Sequence, residues 1–136
     1  MKLEGVALLL SLLIGAVSCG EPGTSVETHS SPSGTHLLEI SIGNWANAEE
    51  QSILMLRLIT PQGKELHYLN TGASNAMKWA GAWVNDSLFI LDSRDIGPFA
   101  WKISRDGHFL ETKVSEKMLV YSQEAFALKY HKKKSR

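Results

Sequence analysis

The chain has 136 residues, 43% of them hydrophobic, with 14 basic and 14 acidic side chains and one cysteine. That length fits a single domain, the lone cysteine excludes an internal disulfide framework, and the zero formal charge lacks the clustered basic surface of a nucleic-acid binder. The balance is uneven, because Lys129, Lys132, Lys133, Lys134 and Arg136 crowd the end and leave residues 20–128 with a net charge of −5.

After a short basic start, Met1-Lys2, residues 6–17 read VALLLSLLIGAV, an almost wholly apolar run. A spanning helix needs about 20 such residues, whereas a run of about 7–15 is the apolar segment of an export signal. The run ends in Ala16-Val17-Ser18-Cys19. These four residues resemble the lipobox of bacterial lipoprotein precursors, and the resemblance covers residues 1–19 only. It implies cleavage before Cys19, diacylation of the Cys19 thiol (palmitate or a similar chain) and acylation of the new amine. Gly20, in place of the Asp that retains such proteins in the inner membrane, implies the outer membrane in a Gram-negative cell. Ala16 stands where Leu is commonest, and Glu4 dilutes the positive start. Ala16 and Ser18 also suit an ordinary signal cleavage at the same bond, which would leave Cys19 an exposed thiol. On either reading, residues 1–18 are a signal peptide.

Residues 20–35, GEPGTSVETHSSPSGT, hold one large apolar side chain, Val26. This composition predicts a flexible tether over 19–35, spanning roughly 20–25 Å, with His29 and His36 as solvated linker histidines. The globular domain is expected over 36–136. Leu37–Ile42 is a short apolar strand. Ser52–Thr60 is apolar on both faces, as in a central strand. It turns through Pro61 and Gly63 and returns over Glu65–Asn70. Met77–Val84 alternates Met77, Trp79, Gly81 and Trp83 on one face, turns at Asn85-Asp86, and pairs with Ser87–Asp92. Gly97-Pro98 reads as a break. Phe99–Ser104 and His108–Val114 follow as strands on either side of Arg105-Asp106-Gly107. Met118, Tyr121, Ala125 and Leu128 have helical spacing, so Glu116–His131 is expected to be a helix capped by Ser115 with those four residues as its buried stripe. The expected fold is α+β, a twisted, mostly antiparallel meander of about seven strands with one C-terminal helix. The alternative is a small all-β sandwich or barrel.

Chemical motifs are sparse. Asp92, Arg94 and Asp95 cluster between two strands, and paired carboxylates about 5–9 Å apart perform acid–base work in glycoside hydrolases. The commoner use of such a cluster is a polar turn in which Arg94 pairs with a carboxylate. A calcium loop over 92–97 fails because Arg94 and Ile96 stand where oxygen ligands belong. Gly72–Ala76 resembles a nucleophile elbow, but that motif needs a much larger α/β domain. No residues point to a cofactor or a metal. Trp79, Trp83, Phe99 and Trp101 take like-facing positions on neighbouring strands and are expected to fill the core between sheet and helix; exposed, they would form a platform for sugar rings or a partner protein. The basic residues Lys129–Arg136 form a solvated helix end or touch anionic lipid or cell-wall phosphate.

The sequence thus points to a lipid-anchored envelope protein on the exported side of a membrane. Its domain is expected to be non-enzymatic and to bind a protein partner or cell-wall glycan. The alternatives are a small hydrolase using Asp92 and Asp95, or an inhibitor of a periplasmic enzyme. A hydrolase should gather at least two of Asp86, Asp92, Asp95 and His108 in one cleft.

Overall fold

The computed structural model describes residues 24–43 and 52–131. The signal peptide, Cys19, Trp45 and the tail 132–136 lie outside the described residues. The described chain forms β1 (Thr24–Ser30), β2 (Leu37–Gly43), β3 (Ile53–Ile59), β4 (Glu65–Ser74), β5 (Trp79–Asn85), β6 (Leu88–Ser93), β7 (Gly97–Ile103) and β8 (Phe109–Thr112). The helix α1 (Glu116–Phe126) follows, and a single π-helical turn, Ala127–His131, ends it. This is a mostly-β α+β fold.

The strands make two antiparallel sheets, β1-β2-β3-β4 and β5-β6-β7-β8, each an up-and-down meander, rather than one sheet of about seven strands. Their inner faces share one core. Leu38, Ile40, Leu54, Leu56 and Leu58 from the first sheet meet Trp79, Trp83, Phe89, Leu91, Trp101 and Phe109 from the second. The expected aromatic core is therefore present, between two sheets rather than between sheet and helix. Buried indoles need partners: Trp79 Nε1 donates to Asn75 Oδ1 at 2.9 Å, and Trp83 Nε1 donates to the His29 carbonyl at 2.9 Å.

The expected tether is corrected over residues 24–35, where β1 and the turn into β2 stand. Apolar content misses this strand because backbone pairing holds it. Thr24 to Ser30 run antiparallel to Ile42 to Leu37, with a bulge at Val26. Gly97-Pro98 also differs from expectation. Both residues begin β7, and the turn is Arg94–Ile96, where Ser93 Oγ accepts from the amides of Asp95 (2.9 Å) and Ile96 (3.3 Å). Pro98 is tolerated because β8 pairs only with residues 100–103, so its missing N–H costs no ladder bond. The β5–β6 turn falls one residue later than expected, at Asp86-Ser87, with Asn85 Oδ1 accepting from Ser87 N at 2.9 Å.

The helix starts where expected: Ser115 Oγ accepts from Met118 N at 3.3 Å. Its buried stripe is rotated by roughly a quarter turn from the expected one. Tyr121 and Leu128 are exposed, and the wholly buried residue is Ser122, whose hydroxyl donates to the Leu119 carbonyl at 3.0 Å. Size explains the shift. The helix lies on the outer face of the second sheet, over β5 and β6, where Ala80 and Ile90 are buried outside the inter-sheet core. A side chain as small as serine on the buried face lets the helix approach the sheet closely; a tyrosine there would hold them apart.

Gly81 marks the tightest point of β5. A Cβ there would stand 2.8 Å from Phe89 Cζ and 3.0 Å from Phe89 Cε2, and Phe89 is fully buried. Gly81→Ala should therefore destabilise the protein by about 1–3 kcal/mol through overpacking, measured by urea denaturation. A neutral result would mean that the Phe89 ring has room to retreat.

Candidate functional site

Two of the four sheet edges, β1 and β5, lie side by side. Along an antiparallel strand, successive residues aim their N–H and C=O groups alternately toward and away from the neighbouring strand. Trp79 points both groups away from β6: its amide donates to the Tyr130 hydroxyl at 3.0 Å, and its carbonyl accepts from Tyr130 Oη at 3.0 Å and Lys129 Nζ at 2.8 Å. The register from Trp79 to Trp83 is unbroken. Gly81 and Trp83 therefore aim their backbone groups at the same free edge, where no strand pairs with them.

That edge opens on a cleft of about 600 Å³, walled by Glu27 and His29 of β1, by Gly81 and Trp83 of β5, and by Ala125 and Leu128 of the helix. One end is closed by a clasp. Glu27 Oε1 accepts from His29 Nε2 at 2.8 Å, and Glu27 Oε2 pairs with Lys129 Nζ at 2.8 Å. The Lys129 ammonium also stands 3.1 Å from the centroid of the Trp79 indole, a close cation–π contact. Burial alone would raise the Glu27 pKa, but the hydrogen bonds and charges of His29 and Lys129 outweigh it and hold the carboxyl below its ordinary value. Glu27 is thus a carboxylate, and the proton on Nε2 of His29 faces it.

Glu27, His29 and Lys129 were not among the expected site residues. His29 is no solvated linker histidine: its ring stands edge-on to Phe89 at 5.7 Å. His36 is ordered too, stacked on Trp83 at 6.2 Å. Lys129 belongs to the fold rather than to a solvated tail. The available signal was the alternation of Glu27 and His29, which puts both on one side of a strand.

The expected residues do not converge. Asp92 and Arg94 line a small cleft of about 280 Å³ beside Phe126 and His131, with the Arg94 guanidinium 4.4 Å from the Phe126 ring centroid. Asp95 lines a different cleft and accepts from Ser74 N at 2.9 Å. Asp86 accepts from Ser33 N at 2.8 Å, and the hydrogen bonds from Ser33 lower its pKa. His108 packs against His67 at 4.9 Å. Trp79, Trp83 and Trp101 are buried and offer no platform. Among the described residues, no group of three His, Cys, Asp or Glu side chains could hold a metal. Comparison with protein-family models, curated proteins and solved structures finds no match.

On the opposite side of the sandwich, β4 and β8 are joined by a histidine. His67 Nδ1 accepts from Phe109 N at 2.9 Å, which requires that nitrogen to be unprotonated. Burial, then repulsion from His108, lowers the His67 pKa below 6.5, against an opposing pull from Glu65. A lowered folded-state value means that the unfolded chain binds the proton first. The His67 contribution is therefore complete above the ordinary histidine pKa and lost as pH falls below it. Melting temperature should fall between pH 7.5 and 5, and less steeply in His67→Asn, whose side-chain oxygen accepts the same bond without titrating. Parallel slopes for the two proteins would remove His67 as the cause.

Lys129→Met should cost about 1.5–3 kcal/mol, the usual worth of hydrogen bonds to a charged group, because Glu27 and the Trp79 carbonyl lose a shared donor. Urea denaturation at pH 7 measures it. A cost near zero would mean that water or His29 replaces the ammonium.

Proposed function

We propose that this chain is a lipid-anchored envelope protein, held by acyl groups on Cys19, and that its sandwich is a non-enzymatic module taking an extended segment of a partner protein on the β5 edge. The observation that carries the reading is the unpaired backbone of Gly81 and Trp83 facing an open cleft. Strand addition to a sheet edge draws affinity from main-chain hydrogen bonds and specificity from the pockets beside them. Edges that are not used are normally blunted by charge, bulges or cover. Here Tyr130 and Lys129 cover β5 at Trp79, a bulge lies at Val84, and no strand pairs with the stretch between, which lines the cleft. The burial of Trp79, Trp83 and Trp101 favours a protein ligand over a glycan, since ring stacking on sugars needs exposed aromatic faces. The separate placement of Asp86, Asp92, Asp95 and His108 supports a non-enzymatic reading.

Two measurements test this reading. Mass spectrometry of the protein from its native membrane should find acyl chains on a fragment beginning at Cys19, and Cys19→Ser should release the domain. A free thiol at that position would remove the anchor. Panning a random peptide library against the purified domain should yield ligands that shift the Gly81 and Trp83 amide resonances and slow their hydrogen exchange. Ligands that leave both amides unchanged would place the binding surface elsewhere.

A further inference from the structure

We infer that the outer face of α1 is an interface between two copies of this chain, which pack antiparallel about a two-fold axis beside Val120 and Tyr121. The inference goes beyond the strand-addition reading and does not rest on it: of Lys117, Val120, Tyr121, Glu124 and Leu128, which make up this face, only Leu128 also lines the cleft along β5.

A surface helix ordinarily turns its large apolar residues toward the core and its polar ones to water. Met118, Leu119 and Phe126 follow that rule and are half-buried. Val120 (50% exposed), Tyr121 (42%) and, in the closing π turn, Leu128 (67%) do not. They are three of the seven large apolar side chains exposed among the described residues, gathered on one segment. Lys117 and Glu124 are exposed as well. Residues 117, 120, 121, 124 and 128 follow the spacing of three and four that puts side chains on one helix face. The wholly buried Ser122 marks the opposite face, which packs over β5 and β6. A contiguous apolar stripe of this kind, set among polar residues, is the mark of a contact surface.

The charges on the stripe identify the occupant as a second copy. Lys117 and Glu124 stand about 10 Å apart along the helix axis, beyond the reach at which charges on one helix pair. Their neighbours along the stripe, Val120, Tyr121 and Leu128, carry no charge. Neither side chain has an ion-pair or hydrogen-bond partner among the described residues. Lys117 also lies in the first turn, where the helix dipole disfavours a cation. An antiparallel second helix supplies both missing partners. With the two-fold axis midway between positions 117 and 124, Lys117 of each copy faces Glu124 of the other. Val120 and Tyr121 of the two copies then meet between two ion pairs. A parallel arrangement would instead set lysine against lysine and glutamate against glutamate. The antiparallel contact is isologous and closes on itself. Exposed ion pairs fix its direction more than its strength. Contact through one short helix stays below about 1,200 Å², so the dimer is weak and concentration-dependent.

The test uses the chain from residue 19 onward carrying Cys19→Ser, which removes both the acyl anchor and any disulfide between copies. Sedimentation equilibrium between about 10 µM and 1 mM should show reversible exchange of monomer and dimer. Lys117→Glu and Glu124→Lys should each weaken association about tenfold, because both ion pairs become repulsive. Helix content and melting temperature of the dilute, monomeric protein should stay unchanged, since neither new charge opposes the helix dipole. Mixed together, the two single variants should associate with each other, and the double variant Lys117→Glu/Glu124→Lys should regain the original affinity. A monomer throughout the range would overturn the inference. So would single variants that dimerise as well as the parent chain, or a double variant that stays monomeric.

Discussion

Two stacked four-stranded sheets leave four edge strands, and every edge aims backbone donors and acceptors at something other than a partner strand. Buried, such groups cost free energy unless they are hydrogen-bonded. The two sides of this sandwich meet that requirement differently. Where β4 meets β8, a ring nitrogen of His67 accepts the Phe109 amide, and Gly107 lets the β7–β8 turn come so close to Leu66 that a Cβ would stand 2.9 Å from its Cδ1. Where β1 meets β5, the groups that satisfy Trp79 come from Lys129 and Tyr130, beyond the end of α1. The helix is thus part of how the sandwich is closed. That side is closed only in part, and the gap is the cleft.

What the sequence makes legible follows from which force shapes each element. The β3–β4 hairpin is readable because an apolar run, a Pro-Gly turn and a return strand all depend on burial or on local dihedral preference. The same holds for β5 to β7, whose alternate positions carry Trp79, Gly81 and Trp83, then Phe89 and Leu91, then Phe99, Trp101 and Ile103, and for the Ser115 cap. The division into two sheets is not readable. Residues 75–78 look like one more turn, and nothing local distinguishes a connection that keeps the chain in its sheet from one that carries it across. β1 escapes for another reason: Thr24–Ser30 is held by backbone pairing to β2, and composition records side chains. On the helix, hydrophobicity favours Tyr121 for the inner face, whereas close packing on β5 and β6 favours the smaller Ser122.

The candidate site was hidden by the same logic. Its walls are a glycine backbone, alanines and the edge of a polar strand, none of which carries a chemical signature. Its charged residues, Glu27 and Lys129, come from the first and last described segments and meet only once the sandwich has formed. The conspicuous residues are engaged in structure. The tryptophans fill the core, Asp95 accepts a backbone amide of the β4–β5 side, and Arg94 covers a phenylalanine ring. A surface that recognises through its main chain leaves little trace in residue identity.

Lys129 shows why side-chain type matters where identity looks generic. Its ammonium meets three acceptors in different directions: the Glu27 carboxylate at 2.8 Å, the Trp79 carbonyl at 2.8 Å and the indole face of Trp79. An ammonium is a compact charge with three donors on a rotatable head, whereas a guanidinium is a planar fork matched to one flat, bidentate partner. The contact thus calls for lysine, although arginine has the same charge. Lys129 also lines both the cleft between the edges and a shallow groove beside Val26 and Met77. The two surfaces consequently share a wall, and whatever displaces the end of the helix acts on the residue that holds β1 to β5.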